Sequence, residues 1–170
     1  MVITEKKSDK SHRGNASQFF VAGELCRREY VAVVTMGNCP NTDILCSNKA
    51  GTKFIHIQVK TFRPGDKTCS VGLKAERDYG ESFIWVLAGI PTADSDKKFF
   101  YYIIPSQVVA MNVKESHSIW ESALGRHGQK HNQSKVRTVA LPPRKCINGW
   151  DISPFLNNWQ LIDEKLKEYV

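Results

Sequence analysis

Apolar and polar residues alternate along the segment 55–61, which reads IHIQVKT. Successive side chains of a β-strand point to opposite faces, so this pattern predicts a strand whose odd-numbered positions face a core. Gln58 and Lys60 then lie together on the other face. An amide and an ammonium inside a sheet are costly unless they have partners, so we expect this face to supply an oxygen ligand and a fixed positive charge.

The hydrophobic pattern predicts the remaining elements in turn. An apolar stripe without proline predicts a first helix over 14–28, and β-branched or continuous apolar runs predict strands. Strands are expected at about 30–35, 43–47, 53–61, 82–90 and 99–104, with a short strand running into a helical turn over 68–77 and an edge strand over 136–141. Ser106 is expected to cap a helix that ends near Asn112, and Pro154 suits the first turn of a final helix over 154–168.

Asp43 begins the short apolar run DILC, and the SNKAG segment that follows has the composition of a turn. Two strands joined by this turn would be antiparallel, and counting back from the turn brings Asp43 near the level of Gln58. The Asp43 carboxylate and the Gln58 amide oxygen could then bind one hard cation while Lys60 faces the attacking water. Taken alone, Lys60 could also be an ordinary edge-strand lysine.

Composition indicates one domain. The chain has 170 residues and 41% hydrophobic content, enough for a real core. We expect a polar segment over 1–13 and a single domain over 14–170. The five cysteines are odd in number and lack a Cys-x-x-Cys pair, which favours reduced thiols. No apolar segment has the length of a signal peptide or a membrane span, so we expect a cytoplasmic protein without a membrane partner.

Positive charge is concentrated near the C-terminal third of the chain. The net charge is +7, and the segment between Glu121 and Asp151 contains no acidic residue. Its basic residues predict contacts with a polyanion, and the candidates for nucleic-acid binding are Arg126, Lys130, His131, Lys135 and Arg137. A solvated basic loop without a partner is the alternative. The four tryptophans, Trp120 included, are expected to be core anchors.

Several motifs resemble one family when they are taken in order. The stretch from Gly14 to Tyr30, the NTDIL motif that contains Asp43, and IQVKT at 57–61 resemble the restriction-endonuclease-like PD-(D/E)XK superfamily. The resemblance is to small bacterial proteins of its Gln-x-Lys variant, such as Mrr-type nucleases and relatives of Holliday-junction resolvases. It implies an α/β fold with a mixed sheet of about five strands flanked by helices and an αβββαβ core. The core would span 14–110, followed by a basic loop over 121–150 and the C-terminal helix.

The resemblance also implies a mechanism. Asp43 would be the principal metal ligand, the Gln58 side-chain oxygen a second and the Val59 carbonyl a third. Lys60 would orient or deprotonate the water and stabilise charge on phosphorus. The cation would be Mg²⁺, with Mn²⁺ as a substitute, because these are oxygen ligands. The substrate would be DNA, and a homodimer would supply two sites for two strands.

Gln18 departs from the family pattern, because many relatives carry a glutamate at this position of the first helix. The change lowers the negative charge of the site unless Glu24 or Glu76 reaches the cation. Gln18 stays a candidate site residue, because its amide could still accept a hydrogen bond from a metal-bound water. Two functions therefore remain open. One is a Mg²⁺-dependent DNA endonuclease, and the other is a weak or inactive nuclease-fold module that binds nucleic acid or a protein partner without cutting.

Overall fold

A computed structural model describes residues 10–36, 39–125 and 127–168. These residues form three α-helices and seven β-strands, joined by turns and two short 3₁₀ turns. In chain order they are α1 (Lys10–Arg27), β1 (Val31–Val34), β2 (Ile44–Ser47), β3 (Phe54–Phe62), β4 (Thr68–Ser70), a 3₁₀ turn (Leu73–Glu76), β5 (Phe83–Gly89), β6 (Phe100–Pro105), α2 (Ser106–Ser122), β7 (Thr138–Ala140), a second 3₁₀ turn (Ser153–Phe155) and α3 (Gln160–Leu166).

The main sheet has five strands in the order β1-β2-β3-β5-β6. Strands β3 and β5 are parallel and the other neighbours are antiparallel, so the sheet is mixed. Strands β4 and β7 pair separately as a two-stranded antiparallel sheet. The predicted fold class, a five-stranded mixed sheet flanked by helices, is confirmed.

Each face of the main sheet has its own hydrophobic core. Ile55, Ile57 and Val59 of β3 pack with apolar residues of α1 and α3, as the alternating pattern predicted. The opposite face packs against β4, β7 and α2, with Trp85 at 1% exposure among its largest residues. Gln58 lies on this second face and is 8% exposed. Gln58 is therefore enclosed between the sheet and the second layer, whereas His56 is exposed and Lys60 is half-buried.

The final helix is shorter than predicted. It begins at Gln160 and not at Pro154, which lies in the second 3₁₀ turn. Asn157 explains the difference: its backbone has a φ of 49°, its N–H donates to the Tyr101 carbonyl at 2.6 Å, and its side-chain oxygen accepts the Tyr101 N–H at 3.0 Å. These bonds attach the segment to the edge of β6, and the helix forms only after it.

The helix after β6 also differs from the prediction. It extends to Ser122, ten residues beyond Asn112. Ser106 does not cap it, because the Ser106 hydroxyl accepts the backbone N–H of Tyr79 at 2.8 Å. This bond fixes the loop before β5 to the start of α2.

The cysteines form no disulfide. Burial raises the pKa of the Cys46 and Cys69 thiols to about 12, which keeps them protonated at neutral pH. Among the residues that the structure describes, no helix is long and apolar enough to cross a membrane.

Candidate active site

The candidate site lies where β2 begins and β3 continues past it. The ladder pairs Ile44 with Ile57, and the Asp43 N–H donates to the Ile57 carbonyl at 2.9 Å. Beyond this point β3 has no partner from β2. The Val59 N–H donates instead to the Asp43 carboxylate at 2.7 Å, and the Gln58 amide donates to the same oxygen. The predicted proximity of Asp43 and Gln58 is therefore observed.

The surroundings of Asp43 act on its charge in opposite directions. Burial disfavours the carboxylate and raises the pKa of Asp43 above its ordinary value. The Val59 N–H, the charge of Lys60, the Gln58 amide and the charge of Lys74 each lower that pKa, and together they offset burial only in part. The site thus contains a carboxyl group whose pKa stays raised by burial, although two lysines act to lower it.

The donor set fits a hard cation. Asp43 offers carboxylate oxygen, and half a turn of the Gln58 amide would present its oxygen in place of its nitrogen. A strand residue directs its N–H and C=O to the same side, so the Val59 carbonyl points toward Asp43 with the N–H. Mg²⁺ is commonly held by one or two carboxylates together with substrate phosphates. The described residues contain no group of three His, Cys, Asp or Glu that could hold a metal, so this set would need oxygens from the substrate.

The two glutamates considered as further ligands, Glu24 and Glu76, both have arginine partners. Glu24 accepts hydrogen bonds from Arg27 and Arg28, and Glu76 pairs with Arg137. Gln18 itself is half-buried on α1. Within the described parts of the chain, no hydrogen bond joins it to Asp43, Gln58 or Lys60. Its neighbour Ser17 makes the contact with β3, at 2.6 Å from the Thr61 hydroxyl.

The described basic residues near the C-terminal third of the chain lie in different environments. Lys130 and Lys135 are exposed, as a phosphate contact requires. His131 stacks on Trp120 with ring centroids 4.1 Å apart. Arg126 lies outside the described residues. The segment 121–150 is also not a single loop, since it contains the end of α2 and all of β7.

Arg137 occupies a different position from the predicted one. Its side chain is 8% exposed and forms an ion pair with Glu76. The guanidinium also donates to the carbonyls of Ser134 and Val136 at 2.7 and 3.0 Å. This placement disagrees with the predicted phosphate contact, because the Nε and Nη1 donors of Arg137 are already used inside the protein. Arg137 connects β7 to the first 3₁₀ turn.

Two features of this half of the molecule were not predicted. Lys74 lies in the first 3₁₀ turn, and its positive charge lowers the pKa of Asp43. The sequence around Lys74 has no clear periodic pattern. Trp120 is not a core anchor but lines a cleft beside α2. The apolar pattern of α2 continues to Trp120, and this continuation was the one available signal that the helix is longer.

Comparison with solved structures adds the fold relationship. The structure of a bacterial homing endonuclease, I-Ssp6803I, matches with a TM-score of 0.54 over 92% of this chain and 94% of that chain, at 14% sequence identity. The chain therefore shares the overall fold of this homing endonuclease. The likeness extends well beyond the core predicted over 14–110. No family model matches the sequence, and no curated protein matches it.

Proposed function

We propose that the chain is a Mg²⁺-dependent DNA endonuclease of the PD-(D/E)XK superfamily in its Gln-x-Lys variant. The observation that carries the proposal is the junction of Asp43, Gln58 and Val59 at the start of β2, with Lys60 two positions beyond Gln58. The fold that this chain shares with a homing endonuclease supports it.

The proposed roles follow from the chemistry of each group. Asp43, the Gln58 oxygen and the Val59 carbonyl would hold Mg²⁺ or Mn²⁺, which supplies Lewis-acid activation of the phosphodiester when bound. Lys60 is half-buried, so its charge is screened less than that of a surface lysine. It would orient the attacking water and stabilise negative charge on phosphorus. Lys74 is exposed near Asp43 and would attract the phosphate.

The proposed function also requires a surface that binds DNA and two copies of the site. Lys130 and Lys135 would contact DNA phosphates from the exposed part of the basic segment. A homodimer would bring two copies of the site to the two strands of a duplex. A cytoplasmic location would give the protein access to DNA.

Cleavage assays test the proposal. Purified protein is incubated with supercoiled plasmid and branched DNA in Mg²⁺ or Mn²⁺, and nicked and linear products are quantified. Asp43→Asn and Lys60→Met should each lower the rate at least about 100-fold, because each removes a charge that acts at the reacting phosphate. Lys49→Ala, in the exposed turn between β2 and β3, is the matched control and should cut normally. Equal cutting by all four proteins would refute the site.

A module that binds without cutting is the second candidate. It is favoured by the single carboxylate at the site and by the two N–H donors that already satisfy one oxygen of Asp43. Gln18 also favours this function, because its uncharged amide cannot supply the negative charge that a glutamate would bring to the site. Wild-type protein that binds DNA in a mobility-shift assay but yields no product with either metal would establish this function.

A further inference from the structure

A cleft of about 650 Å³ lies between α2 and the segment 134–147, outside the candidate active site. Its apolar wall includes Val113, Val136 and Ile147, and Trp120 adds an aromatic ring. Its basic side chains are those of Arg137, Arg144 and Lys145, and His117 adds an imidazole. No aspartate or glutamate is among the residues that line it. The cleft therefore combines apolar surface with positive charge.

Arg144 and Lys145 are the cations available to a ligand. Arg144 is exposed, and no ion pair engages its side chain within the described ranges. Lys145 lies 3.9 Å from Asp151, but its side chain is 62% exposed, so that pair is weak. Arg137 is already paired with Glu76 and forms part of the wall.

Trp120 and His117 both line this cleft. The Trp120 ring stacks with the rings of His117 and His131, with centroid distances of 5.3 and 4.1 Å and interplanar angles of 26°. Trp120 and His117 therefore present aromatic surface to the cleft, and nucleobases stack on aromatic side chains of this kind. Arginine beside them supplies the bidentate donors that phosphate prefers.

We propose that this cleft binds one nucleotide of a DNA substrate, with the base against the apolar wall near Trp120 and the phosphate at Arg144 and Lys145. The nucleotide would come from a single-stranded end or an extrahelical position, because a paired base cannot enter a cleft of this kind. The inference rests on the proposed function only for the choice of DNA as the source.

The position of the cleft supports this choice. A second cleft of about 600 Å³ shares His117, Ser134 and Arg137 with it and is lined by Leu73 and Glu76 of the first 3₁₀ turn. The same turn carries Lys74, whose charge acts on Asp43. A strand bound along these clefts would thus approach the candidate active site.

Tryptophan fluorescence tests the binding of free nucleotides. The protein is titrated with deoxynucleoside monophosphates, deoxynucleosides and inorganic phosphate, and Trp120→Phe identifies the signal from the cleft. We expect saturable quenching by the monophosphates and at least tenfold weaker binding of the nucleosides and of phosphate. Arg144→Ala should weaken monophosphate binding about tenfold or more. Lys165→Ala, on α3 across the sheet, should leave it unchanged.

A second measurement identifies the source of the nucleotide. Duplexes with and without one extrahelical nucleotide are compared by anisotropy in the absence of divalent metal, which prevents cleavage. Tighter binding of the extrahelical duplex, lost in Arg144→Ala, supports the proposal. Equal binding of the two duplexes overturns the DNA source, and equal binding of phosphate and monophosphate overturns the base site.

The two proposals can fail separately. Nucleotide binding that persists in Asp43→Asn supports the cleft whether or not the wild-type protein cuts. Cleavage by the wild-type protein, together with no nucleotide binding in the cleft, overturns this inference and leaves the proposed endonuclease intact.

Discussion

Asp43 is an acid placed where folding opposes its ionisation. Its pKa in the folded protein lies above the ordinary value of 3.8, because burial outweighs the nearby donors and lysines. Folding therefore favours the protonated form. The stability that this preference contributes is present below about pH 3.8 and is lost as the pH rises through the folded-state pKa.

Asp43→Asn should therefore stabilise the protein at neutral pH. The asparagine oxygen can still accept the Val59 N–H, while the buried charge is removed. We expect a higher unfolding midpoint than wild type at pH 7 and a difference that shrinks toward pH 4, measured by circular dichroism in urea. A variant that is less stable than wild type at pH 7 would show that the ionised carboxylate helps folding.

A divalent cation should stabilise the folded wild-type protein with Asp43 ionised. Binding favours the ionised acid, so Mn²⁺ should raise the melting temperature of wild type by mass action. Asp43→Asn should not respond. With one carboxylate at the site, we expect the shift to be small in protein alone and larger when an uncleavable phosphorothioate oligonucleotide is added. An equal shift in both proteins would place the metal elsewhere.

At the residue scale, the sequence predicted the positions of side chains best where the alternation along a strand determines them. The period of two along β3 and the short turn before it were enough to bring Asp43 to Gln58. Arg137 could not be placed in this way, because its partner Glu76 is 61 residues away and pairing over that distance depends on the fold. Charge alone does not distinguish a buried arginine from an exposed one.

At the element scale, the Arg137–Glu76 pair holds β7 against the first 3₁₀ turn. Arg137 also accepts the N–H groups of Val71 and Gly72 at its carbonyl, at 2.9 and 3.3 Å. Arg137→Met would leave Glu76 partly buried without its partner, so it should lower the free energy of unfolding by about 2–3 kcal/mol.

Urea unfolding followed by circular dichroism checks this value. Arg27→Met is the matched control, because the Arg27 side chain is 67% exposed in its pair with Glu24 and its loss should cost less than about 1 kcal/mol. Equal costs for the two variants would mean that the buried position of Arg137 adds nothing to stability.

The boundaries of an element were predicted correctly where the local sequence pattern determines them. They were missed where hydrogen bonds between distant residues determine them. Five strands of the main sheet fall at the expected places, since each is a short apolar run between turn residues. The start of α3 was missed because Asn157 bonds to Tyr101 across the sheet. The role of Ser106 was missed for the same reason, because its partner Tyr79 lies on another element.

At the scale of the whole molecule, two exposed lysines, Lys130 and Lys135, lie in the segment that follows α2. Neutralising either lysine should weaken DNA binding uniformly across sequences. If each contacts one phosphate, the slope of log K against log salt should fall by about 0.9 for each.

Anisotropy titrations from low to moderate salt measure these slopes. Lys130→Gln and Lys135→Gln are compared with Lys165→Gln on α3, which packs against the opposite face. The first two should flatten the slope and the third should not. An unchanged slope in all three would make the basic segment incidental to binding.

Strand β3 has nine residues and its neighbour β2 has four. The β2–β3 ladder ends where Ile44 meets Ile57, whereas β3 stays paired with β5 as far as Phe62. The candidate chemistry uses backbone and side chains just past the end of β2. The hydrogen bonds of both ladders join backbone atoms, so substitutions at positions 43, 58 and 60 leave the ladder donors and acceptors in place. Under the proposed function, one or two substitutions at these three positions would be enough to remove cutting while the sheet stays the same.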